Sequence, residues 1–326
     1  MVRKNLDQRP GPAGTRPDDV LARSGLSGAA LVTAGDLVWQ AGDIDAPFVI
    51  YSLTKPLICA ALLHLAEAGE IDLDAALPDD RIGRPTLRQL MTHTAGVRDY
   101  GGLAEYHQAV RRSPSEPWGD EEFLRRVLGG SPEPAGPGLG WAYSNTGYLL
   151  LRQVLDRHGG LASFLPGLGF ATATVAERLA DLSRAVPARS ALIGDGPLPV
   201  AGRYHPGWVG HRTVVTTARE LHQFWSKPPP AFTDPANLVT LDVDTGGLFV
   251  RPSYGLGVMA DPGHSIGLVI GHGGGGPGYA AAVFAAPGYG AVAVVLEPRE
   301  DFGSQQLAVD LLQAAVQEGT EQRGGH

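Results

Sequence analysis

Strand-forming sequence lies at both ends of this 326-residue chain, and helix-forming sequence lies between them. Near the start, AALVTAGDLVWQAGD reads as two short strands around an Ala-Gly-Asp turn. Near the end, SIGLVIGHG, YAAAVFAAPGYG and AVAVVLEP read as three more, the last two joined across Pro287-Gly288, and SQQLAVDLLQAAVQEG follows as an amphipathic helix. The middle carries helix signals. An apolar helix over residues 55–68 is stopped by Gly69, capping boxes run from Thr86 to Gln89 and from Thr217 to Glu220, and TGYLLLRQVLDRHGG ends at Gly159. This order predicts an α+β fold in which the two termini build one antiparallel sheet, flanked by helices, with a mainly helical lobe inserted. We expect a loose arm over residues 1–20 and a single catalytic domain over 21–326. Its sheet-bearing lobe takes about 21–50 and 240–326, and its helical lobe takes about 51–239. A site belongs in the cleft between the lobes. The Pro-rich stretches SPSEPWGD, SPEPAGPG and SKPPPAFTDP read as loops, and there is no internal repeat.

Composition narrows the partners. Hydrophobic residues make up 43% of the chain, enough for a sizeable core, and 26 basic against 34 acidic residues leave a net charge of −8. With no basic run, neither nucleic acid nor an anionic membrane is an expected partner. The one cysteine, Cys59, sits in the apolar run PLICAALLHL, excludes an intramolecular disulfide and reads as a buried structural thiol. The N-terminal stretch has no apolar signal-peptide core, and no apolar run approaches the roughly 18 residues of a membrane span, so the expectation is a cytoplasmic enzyme. Ten histidines show no His-Glu-x-x-His or comparable spacing, and no metal or other cofactor is expected.

The stretch FVIYSLTKPL, residues 48–57, places Ser52 three residues before Lys55 at the entrance to the apolar helix. Positions i and i+3 share a helix face, so the amine can lie beside the hydroxyl and take its proton if burial lowers an ordinary pKa of about 10.4. Free N–H groups at a helix start favour a developing anion, and Pro56 is tolerated there. The pair alone reads first as a serine cap with a solvated lysine. Two further stretches bear on the choice: PGLGWAYSNTGYLLL, with Tyr143-Ser144-Asn145 at a loop-to-helix junction, and GHGGGGPGY, with His272-Gly273-Gly274 on an edge strand.

Taken in order with LRQLMTHTAGV, VVTTARELHQF and YGLGV, these stretches resemble the serine β-lactamase and penicillin-binding-protein superfamily. The likeness is to its class C-like branch of esterases, D-aminopeptidases and D,D-carboxypeptidases. The resemblance implies a β-lactamase/transpeptidase-like fold and attack by Ser52 on an ester or amide carbonyl of a small molecule or short peptide. The oxyanion would be held by the backbone N–H groups of Ser52 and Gly275. Lys55 and Tyr143 would share the proton traffic, with the base left unassigned between them. Asn145 would meet the substrate and orient Lys55, and His272 would bond toward Tyr143 or the substrate. Where β-lactamases have Lys-Thr-Gly this chain has His272-Gly273-Gly274, so efficient β-lactam hydrolysis is not expected.

An esterase or D-amino-acid amidase or peptidase is the reading. Acyl transfer in a natural-product pathway uses the same acyl-enzyme, and a non-catalytic β-lactam sensor is the alternative of another class. GHSIG, residues 263–267, matches a nucleophile elbow at Ser265 but lacks its strand-turn-helix context. GHGGGG matches a dinucleotide fingerprint but opens no helix, so its glycines are read as letting substrate approach the strand. His93 reads as a structural hydrogen-bonding residue near a helix end.

Overall fold

The computed structural model describes residues 16–129 and 137–324. The arm expected over residues 1–20 lies outside the described residues as far as residue 15, and from Pro17 the chain is helical, as α1 (Pro17–Arg23). The hairpin follows as β1 (Ala29–Ala34) and β2 (Leu37–Ala41), turning at Gly35 with φ 58°. After β3 (Phe48–Val49) come α2 (Thr54–Glu67), α3 (Leu87–Met91), α4 (Ala104–Arg112), α5 (Asp120–Leu128), α6 (Asn145–Asp156) and α7 (Leu161–Phe164). The lobe closes with β4 (Thr174–Ala176), β5 (Arg189–Ser190), β6 (Leu198–Pro199), β7 (Thr213–Thr216), α8 (Ala218–Ser226) and α9 (Pro230–Thr233). The chain then returns to the sheet through β8 (Val239–Thr240), β9 (Ser253–Tyr254), β10 (Met259–His264), β11 (Gly267–Gly276), β12 (Tyr279–Ala286) and β13 (Ala291–Glu297), and ends in α10 (Ser304–Gly324).

Both ends of the chain do build one antiparallel sheet, in the order β2-β1-β13-β12-β11-β10-β9-β8. The register Ala29↔Leu296 to Ala34↔Ala291 joins the N-terminal hairpin to the last strand. Helices cover both faces, and this explains why the last strands read as nearly unbroken apolar runs. On β13, Val292, Val294 and Leu296 pack into the core shared with the helical lobe, while Ala291, Ala293 and Val295 pack against Leu307, Leu311 and Leu312 of α10. The buried carboxylate of Glu297 fastens this seam. It accepts hydrogen bonds from the backbone N–H groups of Ser27 and Gly28, each at 2.9 Å, and from the Ser27 hydroxyl, and it pairs with Arg299.

The inserted lobe is mainly helical but holds a small sheet of its own, β3-β7-β4. The capping box at Thr86 forms in full, with Gln89 reaching back to the Thr86 N–H at 2.9 Å. At Thr217 only half of it forms. Thr217 accepts from the Glu220 N–H, but the buried Glu220 carboxylate turns instead to the Thr172 N–H and the Thr216 hydroxyl. SKPPPAFTDP is less of a loop than its prolines suggested, because proline is tolerated at a first helical position and starts both α9 and a 3₁₀ turn at Pro235–Asn237. The loop expected in SPEPAGPG falls outside the described residues at 131–136. Among the described residues, no helix is long and apolar enough to cross a membrane.

Candidate active site

Ser52 does not begin α2 itself. It sits in a single 3₁₀ turn, Tyr51–Leu53, that runs into the helix at Thr54. Tyr51 carries φ 45°, a left-handed conformation that costs a bulky residue on the order of 1–3 kcal/mol. It is pinned at both ends: its N–H donates to the Thr213 hydroxyl at 2.8 Å and its phenol donates to the Pro277 carbonyl at 2.6 Å. The glycines of β11 fit around this turn. A Cβ on Gly274 would come within 2.1 Å of the Ile50 carbonyl oxygen, and one on Gly276 within 2.8 Å of the Tyr51 ring. Gly274 therefore lets the strand lie against the backbone of the turn. Gly273 faces the other side of the sheet, where a Cβ would strike Gln305 of α10 at 2.4 Å. The reading of these glycines as clearing a path for substrate is thus corrected for Gly273 and Gly274, which make room for protein. Gly275 has open space at its Cβ position and lines the cleft.

Lys55 follows in the first turn of α2, with no exposed surface. Its Nζ lies 3.0 Å from Ser52 Oγ, 2.8 Å from Asn145 Oδ1 and 3.5 Å from His211 Nε2, with the Tyr143 ring centroid 4.9 Å away. Burial lowers its pKa to about 7, against the attraction of the Asp99 carboxylate. Tyr143 moves the other way: burial holds its phenol well above the ordinary value, with the Ser52 hydroxyl acting against the rise. Near neutral pH the amine is thus available as a free base and the phenol keeps its proton.

Asn145 opens α6, capped by Ser144, whose hydroxyl accepts from the Gly147 N–H at 3.0 Å. Its N–H and side-chain amide donate to Asp99 at 2.9 and 3.3 Å, and this turns Oδ1 toward Lys55. His93 holds the junction in place. At φ 59° its Nδ1 accepts from the Ser144 N–H at 3.1 Å and its ring lies 4.3 Å from that of Tyr143. That is the structural role its sequence context suggested.

His272 departs from expectation. It is wholly buried, and its Nε2 meets the Tyr254 hydroxyl at 3.0 Å and its Nδ1 the Gly273 carbonyl at 2.5 Å, so it bonds to neither Tyr143 nor the cleft. Burial and the Lys55 charge depress its pKa to about 3, leaving it neutral. β11 is internal in the strand order, yet β10 pairs with it only as far as Gly271, so His272–Gly276 continue as a local edge beside the Ser52 turn.

Three residues that the sequence reading missed complete the surroundings: Asp99 behind Asn145, His211 against Lys55, and Tyr254 on His272. Tyr254 opens the stretch YGLGV, but nothing in that stretch points to His272, and Asp99 and His211 meet their partners 46 and 156 residues away along the chain. Ser52, Tyr143, Asn145, His211 and Gly275 line a cleft of about 770 Å³, to which Tyr106, Val110, Leu192 and Tyr204 add apolar and aromatic surface and Asp99, Gln108 and Arg111 add polar groups. Ser265 lies far from this arrangement in kind, exposed in the hairpin turn between β10 and β11, a strand-turn-strand setting that no nucleophile elbow has. Cys59 is fully buried and its thiol is pushed up to about 12, in keeping with a structural role.

A hydroxyl hydrogen-bonded to a buried amine, with a phenol beside them and a free strand edge opposite, is an arrangement chemically suited to acyl transfer through a serine. The family model described as Beta-lactamase matches residues 15–317, and the chain belongs to that family, within the serine β-lactamase and penicillin-binding-protein superfamily. Penicillin-binding protein 4* of Bacillus subtilis (strain 168) is 30% identical over 119 residues, 35% of this chain and 26% of its own. A D-aminopeptidase of Brucella canis is 30% identical over 182 residues, 53% of this chain and 34% of its own. The chain thus spans about a third or less of the length of these curated relatives. The solved structure of a D-stereospecific amidohydrolase from Streptomyces sp. has TM-score 0.75 at 24% identity, over 90% of this chain and 95% of its own, a likeness of fold.

Proposed function

We propose that this chain is a serine hydrolase that cleaves small amides or esters through an acyl-enzyme on Ser52, and that its substrates are D-amino-acid amides or short peptides. The observation that carries the reading is the 3.0 Å contact between Ser52 Oγ and the Nζ of a lysine with no exposed surface. Ser52 Oγ bonds to the substrate carbonyl carbon while its proton passes to the neutral amine of Lys55. The carbonyl oxygen, now an anion, is met by the backbone N–H groups of Ser52 and Gly275. The amine or alcohol leaves with a proton delivered through Tyr143, and water then releases the acid by the reverse sequence. Burial favours the free amine of Lys55 and the protonated phenol of Tyr143, so Lys55 serves as base and Tyr143 as the proton's route to the leaving group.

The substrate class is supported by the names of the similar D-aminopeptidase and D-stereospecific amidohydrolase, and by an aromatic cleft wide enough for an amino-acid side chain. The test compares wild type, Ser52→Ala and Ser265→Ala on p-nitrophenyl acetate, D- and L-phenylalanine amide and nitrocefin. Turnover lost only in Ser52→Ala, with the D-amide preferred over the L-amide, is the expected result. Stoichiometric labelling by a fluorophosphonate without turnover of any substrate would instead identify a sensor.

A further inference from the structure

Lys55 Nζ has three polar neighbours, and a neutral amine has two N–H bonds and one lone pair. Asn145 Oδ1 takes one N–H, because the hydrogen bond from its amide nitrogen to Asp99 leaves only the oxygen facing the lysine. Deprotonation of Ser52 requires the lone pair to point at Oγ. The second N–H is then left with His211 Nε2 at 3.5 Å. Resting on the reading above, we infer that His211 is a positioning residue: its Nε2 accepts the second N–H of Lys55 and so aims the amine's lone pair at Ser52. Once the amine has taken the serine proton, its three N–H groups meet Ser52 Oγ, Asn145 Oδ1 and His211 Nε2, and the new charge is fully satisfied.

His211 is built for this. It is 2% exposed, at the wall of the cleft. The residue before it is held on both sides, the Gly210 N–H donating to the Tyr100 hydroxyl at 2.8 Å and the Gly210 carbonyl accepting from Arg152 Nε at 3.1 Å. For Nε2 to accept, the ring must be neutral with its proton on Nδ1. Burial and the neighbouring Lys55 both favour the neutral ring, and Nδ1 has no partner at hydrogen-bond distance, although the Tyr51 carbonyl acts on the ring as an acceptor.

Two variants separate acceptance of a hydrogen bond from the filling of space. His211→Leu keeps the bulk and excludes water but accepts nothing, and His211→Gln keeps an acceptor oxygen. The readout is the limiting rate of Ser52 labelling by a fluorophosphonate at pH 8.5, with melting temperatures recorded alongside. The Leu variant is expected to label about tenfold more slowly than wild type, the loss of one hydrogen bond to a reacting group, while Gln recovers most of the rate. A Gln rate less than about fivefold above that of Leu overturns the inference, since a merely structural ring would be missed equally in both. Nitrogen-15 NMR of the wild type, labelled at histidine, gives an independent check: protonated Nδ1 and bare Nε2 on His211 are expected, and a proton on Nε2 refutes the role. A wild type that takes no label at Ser52 refutes the hydrolase reading itself, a different outcome from either.

Discussion

Lys55 has no exposed surface, and burial, opposed by Asp99, brings its pKa to about 7. The sign of the pH dependence follows. Below pH 7 the amine is an ammonium ion and cannot take the Ser52 proton; above it the free base accumulates. The acylation rate should rise through pH 7 and level off, standing at pH 6 at about a tenth of its plateau. A Lys55→Arg variant, whose guanidinium stays protonated, should stand about 10²–10⁴-fold below the wild-type plateau and show no such rise. Stopped-flow acylation with an activated ester across pH 5–10 measures both. The pairing of Ser52 and Lys55 was legible because it depends on three residues of spacing. Asp99 and His211 were not, since their contacts with Asn145 and Lys55 link positions 46 and 156 residues apart.

At the scale of elements, the site is a meeting of the Ser52 turn with the free edge of β11, and glycines set how closely they approach. Gly274→Ala would drive a Cβ to 2.1 Å from the Ile50 carbonyl, where neither strand nor turn can yield, whereas Gly275→Ala enters open space. The first should therefore cost about 3 kcal/mol or more and lose labelling at Ser52, while the second should leave the melting temperature unchanged and alter only the cleft. Thermal unfolding of the two variants makes the comparison. A run of four glycines does not itself say which of them face protein and which face substrate. Strand alternation puts Gly273 and Gly274 on opposite faces, but the packing of Gln305 and Ile50 against those faces is a tertiary fact. The hairpin, the last three strands and α10 were readable because their periodicity and turns are local. The small β3-β7-β4 sheet was not, being made of two- to four-residue strands brought together from distant positions.

Over the whole molecule, the fold keeps His93, His211 and His272 buried, and each has its pKa moved below the ordinary histidine value, chiefly by burial. An unfolded chain protonates these rings below about pH 6.5, while the folded chain resists, down to about 3 for His272. The unfolded state thus binds more protons in this window, and stability falls as pH falls, each ring contributing up to about 1.4 kcal/mol per pH unit. Melting temperatures should drop steeply from pH 7 toward pH 5, and should still rise from pH 7 to 8, where Lys55 loses its proton in the folded chain but keeps it in the unfolded one. A profile that is level down to pH 5 would show that these rings are charged or exposed. The central claim, that Ser52 carries the acyl group, is most directly tested by mixing the protein with p-nitrophenyl acetate, quenching in acid and mapping the adduct by mass spectrometry. The account predicts one acetyl group on the peptide bearing Ser52 and none in Ser52→Ala. An adduct on another residue, or undiminished turnover by Ser52→Ala, would contradict it.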